Sequence, residues 1–317
     1  LVRVPLGKRD VLGVVWALHD AAPSDMPESA VRDVLGVLEG LPPLDAAWRQ
    51  LVQFSAQYYQ RSLGEVALSA LPPQLRDLSN EQLARRLKKQ NTERAVHTTA
   101  GPALSDEQSA VLAQMASDTG PFLLFGSTGS GKTEVYLRAA ARVLAEDPEA
   151  QVLVMVPEIN LTPQLQARFE ERFAHLGRER VVALHSGLTP AQRLKSWLAA
   201  HAGLARLVLG TRMAVLASMP NLRLIVVDEE HDPSYKQQEG ARYSARDLAV
   251  YRARLEGQRQ AEAAEAAEPS QESSAAPVCH VILGSATPSL ESWQATLAGR
   301  YQRLTMHERI GVKSDAG

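Results

Sequence analysis

Cysteine is almost absent: the 317-residue chain has one, Cys279. That excludes a disulfide framework within the chain and any zinc site built on several thiolates. In Val278-Cys-His-Val-Ile-Leu283 it reads as a small buried residue of a strand. Net charge is missing too, at −2 with 34 basic and 36 acidic side chains, so any contact with a polyanion has to come from local patches. No run of about 18 uninterrupted apolar residues is present to span a bilayer, and no signal peptide precedes the globular pattern; the sequence reads as cytoplasmic, with no membrane partner. Aromatic residues supply only 5% of the chain, while 45% hydrophobic and 22% charged residues make an ordinary globular composition. The length suits about two domains with a sizeable core. The chain opens on Leu1 rather than Met, so its start is expected not to be the natural one.

Against those absences stands Phe122-Leu-Leu-Phe-Gly126-Ser-Thr-Gly-Ser-Gly131-Lys132-Thr133. It matches G-x-x-x-x-G-K-[ST], whose backbone N–H groups cradle the phosphates of a nucleoside triphosphate. Glycines let the backbone curl around an anion without a Cβ in the way. Lys132 brings a compact positive charge to the β- and γ-phosphates, and the Thr133 hydroxyl is suited to ligate Mg²⁺. A helical pattern follows to Glu146, ended by Asp147-Pro148. Strand, loop and helix N-terminus thus come in the order a phosphate site requires.

A second acidic site is expected across the cleft. The strand pattern Leu224-Ile-Val-Val227 runs into Asp228-Glu229-Glu230-His231, where Asp228 can hold the Mg²⁺ shell and Glu229 can polarise an attacking water. A further strand ends in Gly284-Ser285-Ala286-Thr287-Pro288. The Ser285 and Thr287 hydroxyls fit a link between nucleotide and bound nucleic acid, although that motif is weak by itself. In Leu104-Ser-Asp-Glu-Gln108 the glutamine has the paired donor and acceptor that read adenine; an exposed glutamine at a helix start is nearly as common.

Three regions follow from the patterning. Residues 1–17 alternate about the basic turn Gly7-Lys8-Arg9 and read as a β-hairpin. Residues 21–98 read as helical: Glu28–Leu38, then Leu44–Tyr59 burying Trp48, Leu51, Val52, Phe54 and Tyr58, then Gly64–Leu71 stopped by Pro72-Pro73. Three such helices suggest a helix-turn-helix or winged-helix unit. Over residues 1–100, 12 basic side chains face 11 acidic ones. Arg85-Arg-Leu-Lys-Lys89, the one concentrated patch, fits a solvated linker helix and a DNA contact equally well. From residue 99 onward the chain reads α/β, with strands predicted at 122–125, 152–156, 181–184, 206–209, 224–227 and 278–283, short apolar runs suited to a mostly parallel sheet flanked by helices. The stretch 258–277 is low in complexity and reads as a mobile surface insertion, helical at its Ala/Glu start.

The phosphate loop, D-E-E-H and S-A-T, in this order, resemble helicase superfamily two. Finer motifs narrow this: Val156-Pro-Glu-Ile-Asn-Leu-Thr-Pro-Gln164, Leu184-His-Ser-Gly187, Gly210-Thr211-Arg212, Asp228–Gln238, Arg242-Tyr-Ser-Ala-Arg246-Asp247 and Gly284–Ser292 resemble the PriA family of replication-restart helicases. Tyr58-Tyr59, Leu63-Gly-Glu-Val66 and Leu71-Pro-Pro73 resemble that family's winged-helix domain. The resemblance implies a RecA-like P-loop lobe at 99–317, a winged helix and linker at 21–98, and at 1–20 a β-hairpin remnant of a domain that binds the 3′ end of a nascent strand. It implies ATP- and Mg²⁺-dependent 3′-to-5′ unwinding, recognition of abandoned forks, D-loops and single-stranded DNA, and recruitment of primosome proteins and single-stranded DNA-binding protein. By motif, Gln108 reads adenine, Gly126, Gly129, Ser130, Gly131, Lys132 and Thr133 hold phosphates and metal, and Asp228 and Glu229 serve metal and water. Thr211, Arg212, Tyr235, Lys236, Tyr243, Arg246, Ser285 and Thr287 couple DNA to hydrolysis, Tyr235, Lys236 and Tyr243 as direct contacts. The family's second lobe, with its catalytic arginine and zinc-binding cysteines, is expected beyond residue 317, so no zinc is expected within this chain. Two alternatives share these motifs in whole or part: a double-stranded DNA translocase that does not separate strands, and a fork-binding scaffold without catalysis.

Overall fold

The computed structural model describes residues 1–21, 24, 26–90, 101–177, 180–266 and 278–309. The predicted hairpin forms as β1 (Val2–Leu6) and β2 (Arg9–Gly13), paired antiparallel from Val2↔Gly13 to Leu6↔Arg9. The expected helix over Glu28–Leu38 does not form. Only Glu28–Ala30 makes a 3₁₀ turn, and Gly36–Val37 becomes β3, pairing with β1 on its other side. The i, i+3, i+4 spacing of Val31, Val34, Leu35 and Leu38 misled because the first three are half exposed. Among the described residues no packed surface covers that face, whereas β1 offers free edge groups. Arg3 and Leu1 carbonyls accept the Leu35 and Leu38 N–H groups at 2.8 and 3.0 Å.

Helix α1 (Ala46–Tyr58) starts where Asp45 accepts the Trp48 N–H at 2.7 Å, satisfying one of the four free donors of a helix start. It buries Trp48, Leu51 and Val52, but Tyr58 points outward at 68% exposure, against expectation. Helix α2 (Leu63–Ser69) is capped by Ser62, and the basic run lies on α3 (Asn80–Gln90), with Arg85, Arg86 and Lys88 exposed.

The α/β part carries α4 (Asp106–Ser117), β4 (Phe122–Gly126), α5 (Lys132–Glu146), β5 (Gln151–Met155), α6 (Pro163–Arg172), β6 (Val181–Leu184), α7 (Pro190–His201), β7 (Leu207–Gly210), β8 (Leu222–Val227), α8 (Ala245–Ala266), β9 (His280–Ser285), α9 (Leu290–Leu297) and β10 (Gln302–Met306). The seven strands β4–β10 form one sheet in the order β10-β4-β9-β8-β5-β7-β6, every pair parallel. This is a RecA-like lobe. All six predicted strands are present. The seventh, β10, went unread because Gln302-Arg-Leu-Thr-Met306 is a half-polar edge strand with only Leu304 and Met306 buried.

Strand side chains alternate between two cores, as a period of two requires. Phe122, Leu124, Val152, Val154, Leu224, Val226 and Ile282 pack on one face with α4–α6. Leu123, Leu153, Ile225, Val227, Val281 and Leu283 pack on the other with α7, α8 and the N-terminal helices. That second core is continuous with Trp48, Leu51, Val66 and Leu75. Across the seam the Trp48 indole N–H donates to the Leu216 carbonyl at 2.8 Å, and His201 Nε2 lies 2.9 Å from the Pro42 carbonyl. Truncating such a buried aromatic costs about 3–5 kcal/mol, so this is a packed joint rather than a tethered contact.

The predicted insertion is not wholly loose. Its start, to Ala266, extends α8, and Gln260 is buried with its amide donating to the Leu222 carbonyl at 2.8 Å; residues 267–277 lie outside the described residues. Cys279 is buried, immediately before β9. No helix among the described residues is long and apolar enough to cross a membrane.

Candidate nucleotide-binding site

Sheet order places the chemistry. Ligands of open α/β sheets bind outside the carboxyl ends of the strands. There β4 runs into the phosphate loop, β8 into Asp228 and, between them, β9 into Ser285. Three motifs far apart in sequence are thus carried on three adjacent strands.

In the loop, Gly129 (φ 86°) and Gly131 (φ 85°) adopt left-handed backbone, which only glycine takes at little cost. The Ser130 N–H donates to the Ser127 carbonyl at 3.1 Å, closing the turn, and α5 begins at Lys132. Lys132 is 7% exposed; its ammonium donates to the Gly126 and Ser127 carbonyls at 2.9 and 3.4 Å. The buried hydroxyls of Ser127 and Ser130 have no protein partner. Unpaired buried hydroxyls and a lysine that finds only its own loop's carbonyls fit a loop made for an anion. Gln108, expected at the adenine, is buried on α4. Its Oε1 accepts the Ser105 N–H at 2.9 Å in a capping box, and its amide donates to the Gly131 carbonyl at 3.3 Å. One N–H and one lone pair of the carboxamide remain.

Asp228 leaves β8 with its N–H donating to the Met155 carbonyl at 2.9 Å. Its Oδ1 accepts the Tyr136 hydroxyl at 3.0 Å, and its carbonyl accepts the Tyr235 hydroxyl at 2.7 Å. Burial raises the Asp228 pKa, opposed by the Tyr136 hydrogen bond and the Lys132 charge. Glu229 has φ 46°, a conformation that costs a side-chain-bearing residue about 1–3 kcal/mol and persists only when neighbours enforce it. They do: the Glu230 N–H donates to the Gly284 carbonyl at 2.9 Å, and the Asp232 N–H to the Glu229 carbonyl at 2.8 Å.

From Glu229 a polar chain leads away from the loop. The His231 ring lies 3.7 Å from the Glu229 carboxylate, 2.8 Å from Ser285 Oγ and 3.3 Å from Thr287 Oγ1, and the Thr287 N–H donates to Ser285 Oγ at 3.0 Å. Glu230 is 1% exposed and ties the same region together. It accepts the Ser289 N–H at 2.7 Å and the Ser289 and Ser292 hydroxyls at 3.0 and 2.8 Å, with Arg246 at 3.4 Å.

The residues expected to touch DNA divide. Tyr235 and Tyr243 are 2% and 7% exposed. Both sit in the core rather than on a stacking surface, and the Tyr235 hydroxyl has a carbonyl partner inside the fold. In their loop the Gln237 N–H donates to the Tyr243 carbonyl at 2.8 Å, and Lys236 bridges to Ser244. Arg246 is held by Glu230, Ser289 and Asp247. Arg212 donates to Gln237 at 2.6 Å and to the Ser234 carbonyl at 3.0 Å. Thr211 is buried, its N–H on the Leu184 carbonyl. Lys236 is exposed, its ammonium 5.4 Å from the Tyr59 ring centre.

A family model described as DEAD/DEAH box helicase matches residues 105–296. The chain belongs to the DEAD/DEAH box helicases. A second model, described as a 3′DNA-binding domain, matches residues 1–72, reaching through α1 and α2. Relatives agree with the resemblance to PriA. The replication restart protein PriA of Treponema pallidum is 32% identical over 98% of this chain and 42% of that protein. Its counterparts in Haemophilus influenzae and Bacillus subtilis are 31% identical over 98% of this chain and 48% of that protein, and 41% identical over 60% and 20%. The helicase chain thus spans less than half the length of these relatives.

Sequence reasoning missed Tyr136, and it gave Glu230, His231, Ser289 and Ser292 no separate role. Tyr136 lies four residues after Lys132, hence on the same face of α5. Ser289, at a helix start with Ser292 at the third helical position, carried an N-cap signal.

Proposed function

We propose that these residues form the nucleotide-binding motor lobe and attached DNA-binding module of an ATP-dependent 3′-to-5′ DNA helicase. It acts at abandoned forks and D-loops and starts primosome assembly for replication restart. The observation that carries the reading is the placement of Lys132 and Thr133, Asp228 and Glu229, and Ser285 and Thr287 at or just beyond three adjacent strand ends, with His231 hydrogen-bonded across two of them. The order of domains, a 3′-end-binding remnant, a winged helix and a motor lobe, belongs to this reading.

The residues fit a magnesium ion held mainly by nucleotide. No three His, Cys, Asp or Glu side chains gather as a cage among the described residues, and Mg²⁺ in such sites takes one or two protein carboxylates plus phosphates and water. Thr133 and Asp228 would hold it. When bound, it supplies Lewis-acid stabilisation of charge on the phosphate oxygens. Lys132, released from its own loop's carbonyls, neutralises the β- and γ-phosphates, and the loop N–H groups and α5 N-terminus add partial positive charge. Glu229, held in a fixed backbone geometry, orients the attacking water. Gln108 uses its remaining N–H and lone pair on adenine. His231 carries the state of this site to Ser285 and Thr287, and Lys236 meets the DNA backbone as an exposed cation of its loop.

The test is calorimetric titration of Mg-ATP into the chain and into Lys132→Ala. The variant should lose at least about tenfold in affinity, roughly 1.4 kcal/mol; equal affinity in both would remove the phosphate loop from the function.

A further inference from the structure

We propose that Tyr136 is a positioning residue that aims the Asp228 carboxylate at the metal of the nucleotide site; the inference rests on the reading above. Three features of the fold converge on its hydroxyl. Tyr136 is one turn beyond Lys132 on α5, so the helix that begins at the phosphate loop delivers both side chains toward the same end of the sheet. The ring is 1% exposed, and its hydroxyl donates to Asp228 Oδ1 at 3.0 Å. Asp228 itself is pinned by its backbone, N–H on Met155 and carbonyl under the Tyr235 hydroxyl. Its remaining freedom is the turn of the carboxylate, and Tyr136 removes that.

The neighbouring strand is shaped for this contact. A Cβ on Gly284 would stand 1.6 Å from the Tyr136 hydroxyl oxygen and 2.7 Å from Cζ, so only glycine lets β9 pass beside the phenol. The same Gly284 accepts the Glu230 N–H. One hydroxyl therefore joins the phosphate-loop helix, the metal carboxylate of β8 and the glycine of β9. Partners that orient metal ligands in this way typically contribute about 10- to 100-fold to metal affinity. A phenol that merely filled space would contribute nothing specific to metal, because Phe fills nearly the same volume.

ATP is titrated calorimetrically into the wild-type chain and Tyr136→Phe, once with Mg²⁺ and once with EDTA, with circular dichroism to check that the fold is kept. Wild type should bind more tightly with Mg²⁺. Y136F should lose about tenfold of that gain while its affinity in EDTA stays within about twofold of wild type. Gly284→Ala, which forces the phenol aside, should lose a similar share. The same magnesium gain in wild type and Y136F would overturn the assignment while leaving the function reading intact. An equal loss in EDTA would overturn it too, since Tyr136 would then shape the whole pocket. No magnesium gain in wild type would bring down both.

Discussion

Replacing Glu230 with alanine should be among the most damaging single changes outside the nucleotide site. The carboxylate is 1% exposed and accepts the Ser289 N–H, the Ser289 and Ser292 hydroxyls and Arg246. Ala leaves a backbone N–H and two serine hydroxyls without their acceptor and takes one partner from the Arg246 guanidinium. Each buried donor left unpaired costs about 1–3 kcal/mol, and removing one partner of a buried ion pair costs about 3–5 kcal/mol. These terms overlap, and Arg246 keeps Asp247 at 2.8 Å and Ser289 Oγ at 2.7 Å. The expected loss is therefore about 4 kcal/mol. Glu230→Gln keeps the shape and one acceptor oxygen but sets an amide against Arg246, so about 2 kcal/mol is expected. Urea unfolding of wild type and both variants, compared at unchanged m-value, gives these numbers directly. A loss below about 1 kcal/mol for E230A would refute the argument that this carboxylate holds α9 to the end of β8.

Three further outcomes follow from the same geometry. Burial pushes the Glu256 pKa up to about 7 against the pull of Arg252 and Arg259; a carboxyl raised above its unfolded value holds its proton longer when folded, so stability should fall as pH rises from about 4.5 to 7, by about 3 kcal/mol in all, and urea midpoints of Glu256→Gln should lack that slope. Lys236→Ala should weaken single-stranded DNA binding and lower its salt slope by about one, with ATP affinity unchanged by calorimetry; an unchanged slope would place the DNA contact elsewhere. The purified 317-residue chain should bind ATP yet show little DNA-stimulated turnover and no strand displacement, because an arginine finger, which contributes about 10³–10⁵ in rate, is expected from a second lobe; robust unwinding of a fork by this chain would refute it.

What the sequence showed and what it hid have physical causes. Strands buried on both faces announce themselves as apolar runs, so β4 to β9 were legible, whereas β10 needs only two buried side chains and reads as polar. Helix α1 was legible because Trp48, Leu51 and Val52 recur at helical spacing and are buried. Glu28–Leu38 was misread because helical spacing says nothing about whether a partner surface exists, and the free edge of β1 was the better partner. The phosphate loop and D-E-E-H could be found because their chemistry demands particular residues in a row. The support behind them could not: Tyr136 reaches Asp228 across 92 positions and Glu230 reaches Ser292 across 62, contacts set by strand order rather than by spacing. Tyr235 and Tyr243 show the opposite error. Their loop was recognised by its motif, but a motif does not say which side chains face outward.

The order β4-β9-β8 also explains why the short Gly284-Ser285 stretch sits at the centre of the site. Being the middle strand, β9 touches both the phosphate-loop helix, through Tyr136 against Gly284, and the acidic motif, through Glu230 on the Gly284 carbonyl and His231 on Ser285. A shift of Asp228 or Glu229 has little slack to absorb it. Glu229 already occupies a costly backbone conformation, Gly284 has no room for another atom, and His231 is engaged by both Ser285 and Thr287. Packed groups of this kind move together or not at all. Thr287 lies two residues from the Ser289 cap that Glu230 holds, and Glu230 also holds Arg246 at the start of α8. On the proposed reading, a change at the phosphates thus has a short covalent and hydrogen-bonded route to the loop that carries Lys236, and it passes through a strand whose only direct part in nucleotide chemistry is to stand between the two that bind.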